Sequence, residues 1–167
     1  MQAKTKRIVI TALMASMVCV ATMLIKIPTP LQGYINLGDC IVLLCGWMLP
    51  FGYGFVAAGI GSALADVLSG YAIYAPATFI IQGVMAIVCY AIFKALNKKL
   101  GKLASYIIGG VIAELVMILG YFVFEGILYG FGASLVNIPA NAIQGIAGIV
   151  IGVVLIRLFD RLKIGLE

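Results

Sequence analysis

From Ile8 to Ile25 the chain runs for eighteen residues without a charged side chain. An α-helix needs about 20 apolar residues to cross a hydrocarbon core, so this run suits a bilayer. It does not stand alone, because uncharged stretches recur at 40–65 and 126–156. Charged residues make up 10% of the chain and hydrophobic residues 64%, whereas soluble domains carry roughly 25% charged residues. The chain reads as an integral membrane protein. Its 167 residues are expected to form a single membrane domain, 1–167, with no added soluble domain.

The net charge of +5 would suit nucleic acid if it gathered on one soluble face. Instead it falls in clusters between apolar blocks. Lys4, Lys6 and Arg7 precede the first block, Lys94, Lys98, Lys99 and Lys102 form a central cluster, and Arg157, Arg161 and Lys163 come last. Only Lys26 stands apart. That spacing follows the positive-inside rule and excludes a nucleic-acid partner. The four cysteines (Cys19, Cys40, Cys45, Cys89) lie within apolar runs and read as small core hydrophobes. With no histidine and no CxxC pair, a metal site is not expected.

Turn residues divide the apolar sequence into helices at about 8–25, 38–49, 54–69, 74–94, 104–125 and 136–158. "LPFGYG" (49–54) breaks the second from the third, and "GILYGFGAS" (126–134) connects the last two. The first run is long for a signal sequence and lacks a small-x-small cleavage site, so it reads as a retained helix. Six spans put both termini and the 94–102 loop on one side. Ten of the eleven basic residues then share that side, which marks it as cytoplasmic. The fold class is therefore an all-α compact six-helix bundle with cytoplasmic termini.

The polar residues collect toward the opposite end. Asp39 opens the second helix, Asp66 closes the third, and Glu125 closes the fifth. Asn137, Asn141 and Gln144 recur at i, i+4 and i+7, one face of the last helix. Gln82 lies two turns into the fourth helix, and Glu114 falls near mid-membrane. Intramembrane charges cost at least ~2.5–3.5 kcal/mol on insertion scales, so they are usually paired or functional. Packing alone would pair Lys26 with Asp39 and use the amides to join helices. An outward-open polar cavity explains better why they favour one leaflet. "IPTPLQGYINLGD" (27–39), rich in proline and glycine, then reads as an ordered extracellular loop covering that cavity. Tyr34 is positioned to stack on a flat ligand, with Asn36 and Asp39 as hydrogen-bonding groups. Tyr71 and Tyr74 suit either a ligand or the interfacial aromatic belt. On the first helix Ala12, Ala15, Ser16 and Cys19 form a small-residue pattern that by spacing serves helix packing. Gly145, Gly148 and Gly152 read the same way.

The stretches "IPTPLQGYINLGD", "GIGSALADVLSGYAIYAPATFIIQG" (59–83) and "ALMAS" resemble the substrate-binding S components of energy-coupling factor (ECF) vitamin transporters. The likeness is greatest to the riboflavin-type group, which includes hydroxymethylpyrimidine and pyridoxine-type members. The resemblance implies a monomeric, multi-pass protein of the bacterial cell membrane that binds a vitamin or precursor with high affinity from outside. It implies partners as well: a transmembrane T component and two ATPase subunits, with ATP used by those subunits and no cofactor on this chain. After docking, the S component of that family tips over to release its cargo inward. Small residues on helix 1, here Ala12, Ala15, Ser16 and Cys19, would form the T-component docking face. Ser16 stands where the family usually has alanine. Ligand roles carry over to Asn137, Asn141, Gln144 and Tyr74, then to Glu114, Gln82 and Asn36.

An enzyme is not expected, since the chain lacks a Ser-His dyad and the flanking motifs of aspartyl proteases. The alternative is a proton- or ion-coupled secondary carrier using Glu114. Against it stand the small size and the lack of a visible repeat between the halves.

Overall fold

The computed structural model describes residues 3–31 and 33–162. Gln32 of the covering loop and Lys163 of the last basic cluster lie outside the described residues. The helices are α1 (Ala3–Leu24), α2 (Gly38–Met48), α3 (Phe51–Leu68), α4 (Ala75–Leu100), α5 (Lys102–Tyr129), the short α6 (Phe131–Ser134) and α7 (Ile138–Arg161). Pro50 starts α3, and prolines also sit in the first turn of α4 and α7, where a missing N–H costs nothing. Gly70 and Gly130 adopt φ of +87° and +92°, the left-handed geometry that lets α3 and α5 stop sharply.

Two features differ from the sequence reading. Five helices are long and apolar enough to cross a bilayer, counting α6 and α7 as one, and α2 is not among them. Its 11 residues extend about 16 Å, half a hydrocarbon core. Second, the covering loop contains a two-stranded antiparallel ribbon, so the chain is not purely helical. Strands β1 (Lys26–Pro28) and β2 (Tyr34–Asn36) pair Lys26 with Asn36 and Pro28 with Tyr34. Several helices also overrun their expected ends, α4 to Leu100 and α5 to Tyr129. Lysines and a tyrosine at those ends continue the helix beyond the apolar stretch.

The two features fit together. α2 is central, with ten of its eleven residues buried, and Val42, Leu43, Leu44 and Cys45 have no exposed surface. Because it begins at half depth, the space above it is filled by the hairpin and by polar side chains from its neighbours. The hairpin end of the bundle carries the C-termini of α1, α3 and α5 and the N-termini of α4 and α7. The basic clusters therefore share the other end, where Lys102 of α5 pairs with Asp160 of α7 at 3.0 Å.

Candidate ligand-binding site

The polar groups form two layers. In the deeper one, Asp39 in the first turn of α2 is 1% exposed and takes two amide donors. Gln82 of α4 donates to Oδ1 at 3.0 Å, and Gln144 of α7 donates to Oδ2 at 2.6 Å. Lys26 makes no pair with Asp39, because its ammonium reaches Ser69 Oγ at 2.9 Å instead. Glu114 of α5 stands within hydrogen-bonding reach of the Asp39 carboxyl, and apart from that carboxyl its two buried oxygens meet no donor among the described residues. Glycines on α7 make this crowding feasible. A Cβ at Gly148 would lie 2.9 Å from Glu114 Oε1 and 3.0 Å from Asp39 Cβ.

Gln144 joins this layer to the hairpin, because its Oε1 accepts the backbone N–H of Asn36 at 2.7 Å. Asn36 in turn accepts the Gly38 N–H on Oδ1, at 2.7 Å, fixing the turn into α2. The outer layer is built on two further ties. Tyr34 of the hairpin donates to Asp66 Oδ1 of α3 at 2.7 Å and packs its ring 4.7 Å from that of Tyr71. Burial, and then the neighbouring Asp66 carboxylate, hold the Tyr34 hydroxyl above its ordinary pKa, so it remains a donor. Tyr74, ahead of α4, donates to the Leu31 carbonyl at 2.6 Å, with Glu125 Oε1 at 3.3 Å. Asn137 donates to the same Glu125 oxygen at 2.8 Å.

Between the hairpin and the helices lies a cavity of about 30 Å³. Of the residues expected at a site, Tyr34, Asn36, Tyr74, Asn141 and Gln144 line it. Asp39, Gln82 and Glu114 do not; they form the layer beneath. Asn137 backs the wall through Glu125. The sequence reading missed Thr29, Gly33, Asp66, Thr78, Tyr121 and Glu125 as lining residues. Asp66 and Glu125 stood out in sequence as members of the outer polar cluster, but nothing there marked them as lining residues rather than helix-packing groups. Thr78 and Tyr121, whose hydroxyls meet at 3.0 Å, looked like ordinary span residues.

A family model described as "ECF-type riboflavin transporter, S component" matches residues 2–161. The chain belongs to that family. It is thus a multi-pass membrane protein and the substrate-binding subunit of a vitamin-uptake system, not an enzyme. S components work with a T component and ATPases. A curated protein of Pyrococcus woesei, described as "Uncharacterized protein in gap 3'region", is 36% identical over 136 residues, covering 81% of this chain and 88% of its own. A solved structure reported as "Structure and mechanism of the S component of a bacterial ECF transporter" superposes with TM-score 0.65, covering 96% of both chains at 24% identity. That likeness carries the fold alone.

The four small residues of α1 divide between two faces of this S component. Ala12 and Ser16 are exposed, between the exposed Val9, Leu13 and Val20, and Ser16 Oγ donates to the Ala12 carbonyl at 3.0 Å. Cys19 is buried, and Ala15 is half-buried against α3. A Cβ at Gly61 would strike the Ala15 carbonyl and approach Val18 Cβ to 2.7 Å. Helical rotation therefore leaves Ala12 and Ser16 for an external surface and assigns Ala15 and Cys19 to internal packing.

Proposed function

We propose that this S component captures a small heteroaromatic vitamin or precursor from outside the cell and hands it to an ATP-driven importer. The single observation that carries the reading is the convergence of hairpin, α3, α4, α5 and α7 polar groups on one cavity. That cavity lies at the end of the bundle opposite nine basic residues of the described chain. By the positive-inside rule the basic end is cytoplasmic and the cavity faces out.

Ligand sites occupy roughly 300–1,000 Å³, and the cavity's 30 Å³ suits about one water. A heterocycle therefore enters by displacing the hairpin, whose hydrogen-bond ties to the helices run through Lys26, Leu31, Tyr34 and Asn36. Tyr34 and Tyr74 supply ring faces, and Asn141 and Gln144 supply amides to edge groups of the ligand. Pyridoxine- and hydroxymethylpyrimidine-like rings suit this set; riboflavin needs a larger opening. Ala12 and Ser16 form the surface for the T component, and ATP is consumed on the two ATPase subunits. A thermal-shift screen of the purified chain against B vitamins and their precursors tests this. Stabilisation by at least one of them supports it, and none stabilising defeats it.

A proton- or ion-coupled carrier is the second reading, favoured by the unpartnered Glu114 oxygens beside Asp39. A proton or small cation between the two carboxyls would join them. Uptake by this chain alone, abolished by an uncoupler, would support the carrier. Uptake lost when the partner ATPases are inactivated supports the importer.

A further inference from the structure

Resting on the capture reading, the geometry points to a positively charged cargo: the site takes a heteroaromatic cation, held between the carboxylates of Asp66 and Glu125. Four of the chain's six acidic residues, Asp39, Asp66, Glu114 and Glu125, gather at this one site. Asp66 and Glu125 are 5% and 3% exposed and both line the cavity. Each spends one oxygen on a tyrosine or amide donor, whereas Asp66 Oδ2 and Glu125 Oε2 are buried with no hydrogen-bond partner.

Among the described residues no Lys or Arg lines the cavity. Lys26, at the base of the hairpin, is turned to Ser69, and the other described cations sit at the far end. Buried carboxylates are ordinarily paired, and these have only neutral donors. A cationic guest in the cavity supplies the ionic partner that both carboxyl groups lack. The remaining wall suits the same guest, because Tyr34, Tyr74 and Tyr121 line the cavity and tyrosine rings attract cations in a dry site. A neutral ring such as a flavin would gain hydrogen bonds here but give the two carboxyl groups no ionic partner.

Isothermal titration of the purified full chain in detergent tests this with the aminomethyl and hydroxymethyl forms of one aminopyrimidine, which differ in charge at nearly equal size. Thiamine, with its fixed charge, and neutral pyridoxine and riboflavin complete the panel. The aminomethyl form should bind at least about tenfold more tightly than the hydroxymethyl form, a difference of about 1.4 kcal/mol. Glu125→Gln and Asp66→Asn should each shrink that ratio. Equal or tighter binding of neutral members overturns the cation while leaving vitamin capture intact. A preference that survives both variants overturns the assignment to these carboxylates. If no member binds, both this inference and the capture reading fall. The wild-type comparison needs no variant to fold.

Discussion

The Gln144 side-chain amide donates to Asp39 Oδ2 across 2.6 Å, joining α7 to the buried start of α2 over 105 residues of chain. The other end of the same amide holds the hairpin through Asn36. One side chain therefore fixes the floor of the cavity and part of its cover. In Gln144→Leu, Asp39 keeps only Gln82, and a buried acceptor left unmet costs ~1–3 kcal/mol. Thermal unfolding in detergent should show a midpoint lowered by several degrees, and ligand affinity should fall with it. An unchanged midpoint would mean that water replaces the amide.

Asn141 lines the cavity and is only half-buried, so its replacement separates binding from stability. Asn141→Leu should leave the unfolding midpoint near that of the wild type and weaken ligand binding by ~1–3 kcal/mol, the cost of an unpaired ligand group. Calorimetry is the suitable measurement. The single tryptophan, Trp47, packs 5.1 Å from Tyr106 toward the basic end and would report poorly on the cavity. Unchanged affinity would remove this face of α7 from the site.

Tyr34 ties the hairpin to α3 through its hydroxyl alone. Tyr34→Phe keeps the ring against Tyr71 and removes about 1 kcal/mol of hydrogen bonding. If the hairpin covers the ligand, stopped-flow release should quicken about fivefold, and the unfolding midpoint should fall by a few degrees because buried Asp66 Oδ1 loses its donor. A release rate equal to wild type would show that the hairpin does not gate exit.

Substitutions on α1 should divide as its two faces do. Ala12→Trp and Ser16→Trp add bulk to an exposed surface, so uptake by the assembled transporter should be lost while calorimetric binding stays. Gly61→Leu, which drives into the Ala15 carbonyl and Val18, should instead lower expression and thermal stability. Loss of ligand binding in the Ser16 variant with complex formation intact would rule out α1 as the docking face.

The sequence carried the helix succession and the gathering of polar groups at one end, because both depend on composition along the chain axis. It did not carry rotation about that axis. The spanning helices are apolar nearly all round, so periodicity does not say which side of α1 meets α3. Hence spacing could not tell that Cys19 lies inside the bundle while Ser16, only about 60° round the helix, lies on its surface. The 137–141–144 stripe was legible because amides are rare in these spans. Its division into Asn137 on Glu125, Asn141 on the cavity and Gln144 on Asp39 depends on contacts between helices distant in sequence. The same holds for Thr78 and Tyr121, hydroxyl residues with no pattern to mark them. The length of α2 was close to its expected bounds, but its consequence for depth needed the three-dimensional neighbours.

The half-length helix has an electrical consequence. Beneath the Asp39 layer, Val42, Leu43, Leu44, Cys45 and Met85 are sealed from solvent and form an apolar plug toward the basic end of the bundle. On the capture reading, opening the mouth above that plug admits cargo without a path for ions, so the membrane voltage survives each loading. On that same reading cargo has no route straight down through the plug, which favours delivery by reorienting the whole loaded subunit in the lipid.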